Sequence, residues 1–220
     1  MIFHDRADAG ARLAARLRHL RGADPVVLAL PRGGVPVAAA IAEALDAPLD
    51  LLLVRKIGAP GMPELAAGAL VDGTPPSIVL NEEILRRLRI TDAYLEAETA
   101  RQRAELERRR AAYLRGRAPV PLTGRTVVVV DDGVATGATM RAALRGLAEA
   151  GAARRIVLAV PVAPPEVAEA LRRLCDEAVI LETPPDFQAV GLHYGRFDQT
   201  GDEEVTTLLD RAAARIAGGR

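Results

Sequence analysis

From Val127 the chain reads Val-Val-Val-Val-Asp-Asp-Gly-Val-Ala-Thr-Gly-Ala-Thr, ending at Thr139. Four consecutive valines specify a strand buried on both faces. Asp131 and Asp132 stand at its carboxyl end, and Gly133 then turns the chain into a short Gly/Thr loop that opens a helix. In an open α/β sheet, ligands bind just outside the strand ends. The backbone N–H groups of Val134, Ala135, Thr136, Gly137, Ala138 and Thr139, helped by the two threonine hydroxyls and the helix N-terminus, can cradle a phosphate monoester. Ionised Asp131 and Asp132 only accept hydrogen bonds, so they suit a cis-diol that donates two. A ribose 5-phosphate presents both groups on one molecule.

Any short piece of this string is equally well explained as a turn or helix cap, but the whole string is not. It lacks the lysine of GxxxxGK[ST], and no GxGxxG accompanies a strand, so the Walker and dinucleotide-binding readings fail. His4, His19 and His193 do not cluster, and the one serine, Ser77, has no GxSxG elbow, which removes the hydrolase triads. Cys175 is alone, so neither an internal disulfide nor a zinc cluster is expected. Lys56 is the only lysine among 29 basic residues, which directs attention to the place where a compact ammonium sits.

Positioning this loop requires a sheet. Runs rich in Val, Ile and Leu alternate with helical patterns, which predicts an α/β fold: an open, mostly parallel twisted sheet with helices on both faces. Strands are expected near 26–30, 49–54, 126–131, 155–160 and 178–182. Helices are expected near 6–20, 34–45, 138–150, 165–174 and 203–217. Between the second and third strands, 65–70 and 77–80 flank Asp72-Gly73 and predict a hairpin within a flexible lid over 57–80. A helical insertion follows over 82–117. Glu98/Arg101, Glu105/Arg109 and Glu107/Arg110 lie there at spacings that pair opposite charges on one face, so Arg108-Arg109-Arg110 reads as a solvated face. Its thin apolar stripe, Leu95, Leu106 and Tyr113, leaves open whether it braces the core or meets a partner subunit as a homodimer contact.

With 220 residues, half of them apolar, the chain can build one domain with a substantial core. The 29 basic and 29 acidic residues cancel, so no global field recruits nucleic acid or anionic lipid. Apolar runs fall far short of the roughly 18 residues of a membrane span. Asp5, Asp8 and Asp24 argue against a signal or transit peptide, and a cytoplasmic protein is expected.

The string at 127–140 resembles the PRPP-binding signature of the type I phosphoribosyltransferases, and the element order over most of 24–183 resembles that family's core. The resemblance implies a magnesium-dependent enzyme of nucleotide metabolism that moves ribose 5-phosphate from PRPP to a small nitrogenous acceptor, with diphosphate released. It also implies Mg2+ near Asp131 and Asp132. Pro31-Arg32-Gly33-Gly34 resembles the family's pyrophosphate loop, whose backbone amides face the leaving diphosphate, and a cis peptide is expected at Pro31–Arg32. Arg55-Lys56, at the end of the second strand, falls where the family places a pyrophosphate-binding cation. "RK-x-G-x-P-G" resembles adenine-type members, with the glycines of 58–68 as lid hinges and Glu64 a candidate proton acceptor by position. Residues 184–202 resemble the hood on which members stack the base, with Phe187 and Tyr194 as the rings. Ala135 stands where the 6-oxopurine enzymes carry an aspartate, and Val160-Pro161-Val162 lacks their lysine, which disfavours hypoxanthine or guanine. The alternative from another class is a non-catalytic PRPP-binding regulator.

Overall fold

A computed structural model describes residues 3–73 and 75–218. Helix α1 (Arg6–Arg16) precedes β1 (Pro25–Ala29), α2 (Gly34–Leu45) and β2 (Leu49–Leu51). The chain then forms β3 (Val54–Ala59), β4 (Met62–Val71) and β5 (Ser77–Leu80), followed by α3 (Glu82–Leu88) and α4 (Asp92–Leu114). The second half alternates β6 (Thr126–Val130), α5 (Ala138–Ala150), β7 (Arg155–Val162), α6 (Pro165–Arg172) and β8 (Glu177–Glu182), closing with α7 (Asp202–Gly218). No helix of the described residues is long and apolar enough to cross a membrane.

Five strands make the parallel sheet expected from the sequence, in the order β2-β1-β6-β7-β8. Its central strands are unbroken apolar runs because both faces are covered. Val27, Ala29, Val128 and Val130 enter one core layer with α1, α2 and α7, while Val26, Leu28, Val127 and Val129 enter the other with α5 and α6. Alternation thus buries successive residues on opposite sides. From β1 the chain moves outward to β2, whereas from β6 it moves the other way to β7 and β8. The crevice between the carboxyl ends of β1 and β6 is therefore the topological switch point of the sheet.

The expected strand 49–54 is divided. Leu52 still donates its N–H to the carbonyl of Ala29, but Leu53 accepts from Asp72, and from Val54 the chain belongs to a second sheet. That sheet is a three-stranded antiparallel meander, β3-β4-β5. The expected pairing across Asp72-Gly73 is present, Val71 facing Ser77 and Gly68 facing Leu80. The segment expected as a flexible loop is instead β3 paired with β4, closed by a tight turn in which Gly61 takes φ +69°. Arg55 and Lys56 consequently lie in the meander and not at the end of a core strand. The alternating apolar residues Ile57, Ala59 and Ala67 explain the difference, since together they bury a face that a loop would leave in water.

Asn81 and Thr91 cap α3 and α4 by accepting from the N–H groups of Ile84 and Tyr94. The thin stripe of α4 braces this chain: Leu106 and Tyr113 enter the main core, and Leu95 packs with α3 on the meander. Ion pairs form at 2.6 Å for Arg101–Glu98 and 2.9 Å for Arg109–Glu105. Arg110 departs from the expected pairing with Glu107 and reaches the buried Asp72 at 2.5 Å, tying α4 to the end of β4.

Burial raises the Asp72 carboxyl from 3.8 to about 6 despite the pull of Arg110. A carboxyl raised on folding binds its proton more tightly in the folded state, so its contribution is fully present below the unfolded value and is lost as pH rises through about 6. Urea unfolding of wild type and Asp72→Asn at pH 4 and pH 7 is expected to show wild type losing ground by up to about 3 kcal/mol. A gap that does not change with pH contradicts the account.

Candidate active site at the carboxyl ends of β1 and β6

Leu30 donates to the Val130 carbonyl at 2.9 Å, so β1 and β6 stay paired to their ends and deliver both following loops to one place. In the first loop, the Pro31–Arg32 peptide is cis, as the family resemblance implied. A Cβ on Gly33 would stand 2.0 Å from Asp132 Oδ2, and one on Gly34 would stand 2.8 Å from the Val130 carbonyl oxygen. The two glycines are required by close approach of the loops, since no other residue type leaves that space.

Asp131 Oδ1 accepts the backbone N–H of Asp132 at 2.8 Å. Asp132 Oδ2 accepts Arg6 Nε at 2.8 Å, and both of those side chains are largely buried. Arg6 lies 4.0 Å over the ring of Phe197 and donates through Nη1 to the Asp198 carbonyl at 2.6 Å. Burial first, and then the charge of Asp132, hold the Asp131 carboxyl well above the usual carboxylate range. One cation therefore serves two adjacent acids, and a ligand that brings hydrogen-bond donors or positive charge favours the ionised form of Asp131. Nothing in the sequence pointed to Arg6. It sits in the first turn of α1, and only the fold carries it to Asp132.

Beyond the acids, Gly133 sits against Val190, where any Cβ would fall 2.5 Å from a valine methyl. Val134 corrects one expectation. Its N–H donates to the Val162 carbonyl at 2.9 Å and its side chain is buried, so the open part of the loop is 135–139. There Ala135, Thr136, Ala138 and Thr139 are exposed. Gly137, at φ +74°, starts α5 with no capping side chain, which leaves the first-turn amides without acceptors. Arg141 donates to the Thr136 carbonyl at 2.7 Å and adds positive charge beside the loop.

A cavity of about 200 Å3 opens beside these groups, lined by Pro31, Arg55, Arg109, Asp131 and Thr139 among others. The two neighbouring residues of β3 separate here, because strand alternation points them to opposite faces. Arg55 lines the cavity, whereas the exposed Lys56 binds Glu64 at 2.8 Å across the hairpin and does not line it. Lys56 holds the Glu64 carboxyl below its ordinary range, and Glu64, the proton acceptor expected by position, is exposed and does not line the cavity. Arg109 is exposed and paired with Glu105, as expected of a solvated face, and it lines this cavity as well. Arg32 is partly exposed, 3.6 Å from Asp202, and borders a second space of about 680 Å3 between α4 and α7.

The two rings of 184–202 also divide. Half-buried Phe187 stacks on His193 with centroids 5.4 Å apart. Tyr194 is buried between Phe3 and Phe197 and donates its hydroxyl to the Asp132 carbonyl at 2.5 Å. It anchors the acid pair and offers no free face to a base.

The family model described as phosphoribosyl transferase domain matches residues 2–194, which contain both loops, the acid pair and the sheet that carries them. This chain belongs to the phosphoribosyltransferase family. It is 49% identical over 211 residues, 96% of its length, to a Mycobacterium tuberculosis protein provisionally named a phosphoribosyl transferase. The match takes in 47% of that relative, so this family member spans about half the length of the curated relatives it resembles. The crystal structure of TT1426 from Thermus thermophilus superimposes with a TM-score of 0.83 at 49% identity, covering 95% of this chain and 98% of that one. A shorter stretch of 42 residues, 19% of this chain and 23% of the relative, is 55% identical to the bifunctional protein PyrR of Chloroflexus aurantiacus.

Gly33→Ala is expected to push Asp132 off Arg6, lowering stability by about 1–3 kcal/mol. Urea unfolding measures the loss, and an unchanged midpoint contradicts the interlocked loops.

Proposed function

We propose that this family member transfers ribose 5-phosphate from PRPP to a nitrogenous acceptor of the nucleobase class and releases diphosphate. The observation that carries the reading is the meeting, at the switch point of the sheet, of the Asp131–Asp132 pair with the amide-lined loop 135–139. The loop takes the 5-phosphate at the start of α5, and the two carboxylates take the ribose hydroxyls. Gly33 and Gly34, facing those acids, place the backbone of 31–34 beside C1, where the diphosphate leaves.

Departure of diphosphate from C1 passes through an oxocarbenium-like state, so the main task of the protein is to neutralise the leaving group. Among the described residues no cluster of three or more His, Cys, Asp or Glu forms a metal cage. Two adjacent carboxylates fit a magnesium ion that keeps most of its ligands from water and substrate phosphates. Asp131 and Asp132 would hold it directly or through water, and when bound it supplies charge neutralisation to the diphosphate. Arg32 and Arg55 add fixed positive charge. The β3–β4 hairpin serves as a lid that excludes water from the reactive sugar, and Phe187 provides the aromatic surface for the acceptor.

Magnesium-dependent diphosphate release from PRPP, measured across a panel of purine and pyrimidine bases, tests the assignment. Release with one base and not others is the expected result. PRPP binding without release on any base assigns the chain to a sensing module instead. Asp131→Asn combined with Asp132→Asn is expected to abolish release, and retained turnover sinks the reading. Because ribose binding uses ionised Asp131, PRPP affinity is expected to weaken as pH falls through the raised titration of that carboxyl, a dependence that Asp131→Asn removes.

A further inference from the structure

Two guanidinium groups from elements outside the parallel sheet line one cavity beside Asp131. Arg55 of β3 and Arg109 of α4 line the same small cavity as Asp131 and Thr139. Arg55 donates Nε to Gln102 Oε1 at 3.0 Å, and Gln102, itself buried, donates to Glu98 Oε1 at 2.8 Å. Glu98 is also buried and holds Arg101. Arg109 gives its Nε to Glu105 at 2.9 Å, but that carboxylate is shared with Arg108. Among the described residues, the terminal nitrogens of Arg55 and Arg109 take part in no hydrogen bond.

Two guanidinium groups are therefore held close together at this spot. Burial, and then the nearby Arg109, disfavour the charged form of Arg55; Glu105 favours it, and Arg101 and Arg108 oppose it again. Arginine stays protonated under such stress. A neutral carboxamide, Gln102, holds Arg55 in place where an acid would have cancelled its charge. An arrangement that keeps two planar donors together, each held through Nε and each with its outer nitrogens unused, is matched to a polyanion that accepts bidentate hydrogen bonds.

We propose that Arg109 of α4 joins Arg55 to clamp the diphosphate group of the sugar donor, and that Gln102 is the positioning residue that aims Arg55. The inference rests on the PRPP reading and deepens it, since it makes α4 part of the substrate site. It also assigns to α4 the cation that the family resemblance had sought in Lys56. Of the loop 135–139, which takes the 5-phosphate, only Thr139 lines this cavity.

Titration calorimetry of the full chain with three probes in magnesium buffer tests the clamp: PRPP, inorganic diphosphate and ribose 5-phosphate. Arg109→Ala is expected to weaken PRPP and diphosphate by about tenfold to a hundredfold, the loss of one charge-assisted donor group, and to leave ribose 5-phosphate unchanged. Gln102→Met is expected to weaken diphosphate in the wild-type background but not further in Arg55→Ala, because a residue acting only through Arg55 shows full coupling. Equal losses in both backgrounds, or a parallel loss of ribose 5-phosphate, refute the positioning role. Arg109 is exposed, so Arg109→Ala still decides the clamp if Gln102→Met fails to fold. Wild type that binds PRPP, with diphosphate affinity untouched by Arg109→Ala, overturns the clamp and spares the functional reading. Wild type that binds none of the three probes overturns both.

Discussion

The loops that leave β1 and β6 run closer together than side chains permit, and the rest of the site depends on that approach. Gly33 lies where any Cβ would fall 2.0 Å from Asp132 Oδ2, and Gly34 lies against the end of β6. Contact at this range holds only if Asp132 cannot move, and three groups fix it: the guanidinium of Arg6, the hydroxyl of Tyr194 on its carbonyl, and the continued β pairing at Leu30. The helix α1 and residues 190–198 are thus structural supports of the acid pair, although neither contributes a strand to the main sheet. Phe3 lies tilted against Tyr194, which stacks on Phe197, so half of the chain's six aromatics gather at this one place.

Electrostatically the site is built in two halves. At the acid pair, negative charge exceeds the single cation supplied by Arg6, and burial makes full ionisation of Asp131 costly. At the cavity, which Asp131 also lines, Arg55 and Arg109 keep terminal guanidinium nitrogens that the described residues leave without a hydrogen bond. Each half keeps hydrogen-bonding capacity that the described residues do not use. Hydroxyl donors on one side and phosphate oxygens on the other would complete both, which is the complementarity a phosphorylated sugar offers.

Helix α4 shows how far local pattern and tertiary role can diverge. Its i,i+3 and i,i+4 ion pairs are real, at Glu98/Arg101 and Glu105/Arg109, yet two of the arginines on this helix serve other elements. Arg110 turns inward to Asp72, and Arg109 reaches the cavity. Spacing along a helix identifies which residues share a face, but it does not say which element lies opposite that face. Lys56 carries the same lesson for a strand: its rarity marked it, but the pleat of β3 turned Arg55 and not Lys56 toward Asp131.

The sequence by itself determined the parallel sheet, its flanking helices and the residues at the strand ends, because continuous valine runs, glycine loops and capping residues act over a few positions and have few alternatives. It also located the acid pair and the open loop after it, since one contiguous segment carries both. Tertiary structure decided everything that joins distant segments: Arg6 on Asp132, the buried amide of Val134, the anchoring role of Tyr194, the transfer of Val54–Ala59 to a second sheet, and the placing of Arg109 beside Arg55. Each of these depends on which faces pack together, and packing is set by burial and charge summed over the whole chain, which local periodicity does not encode.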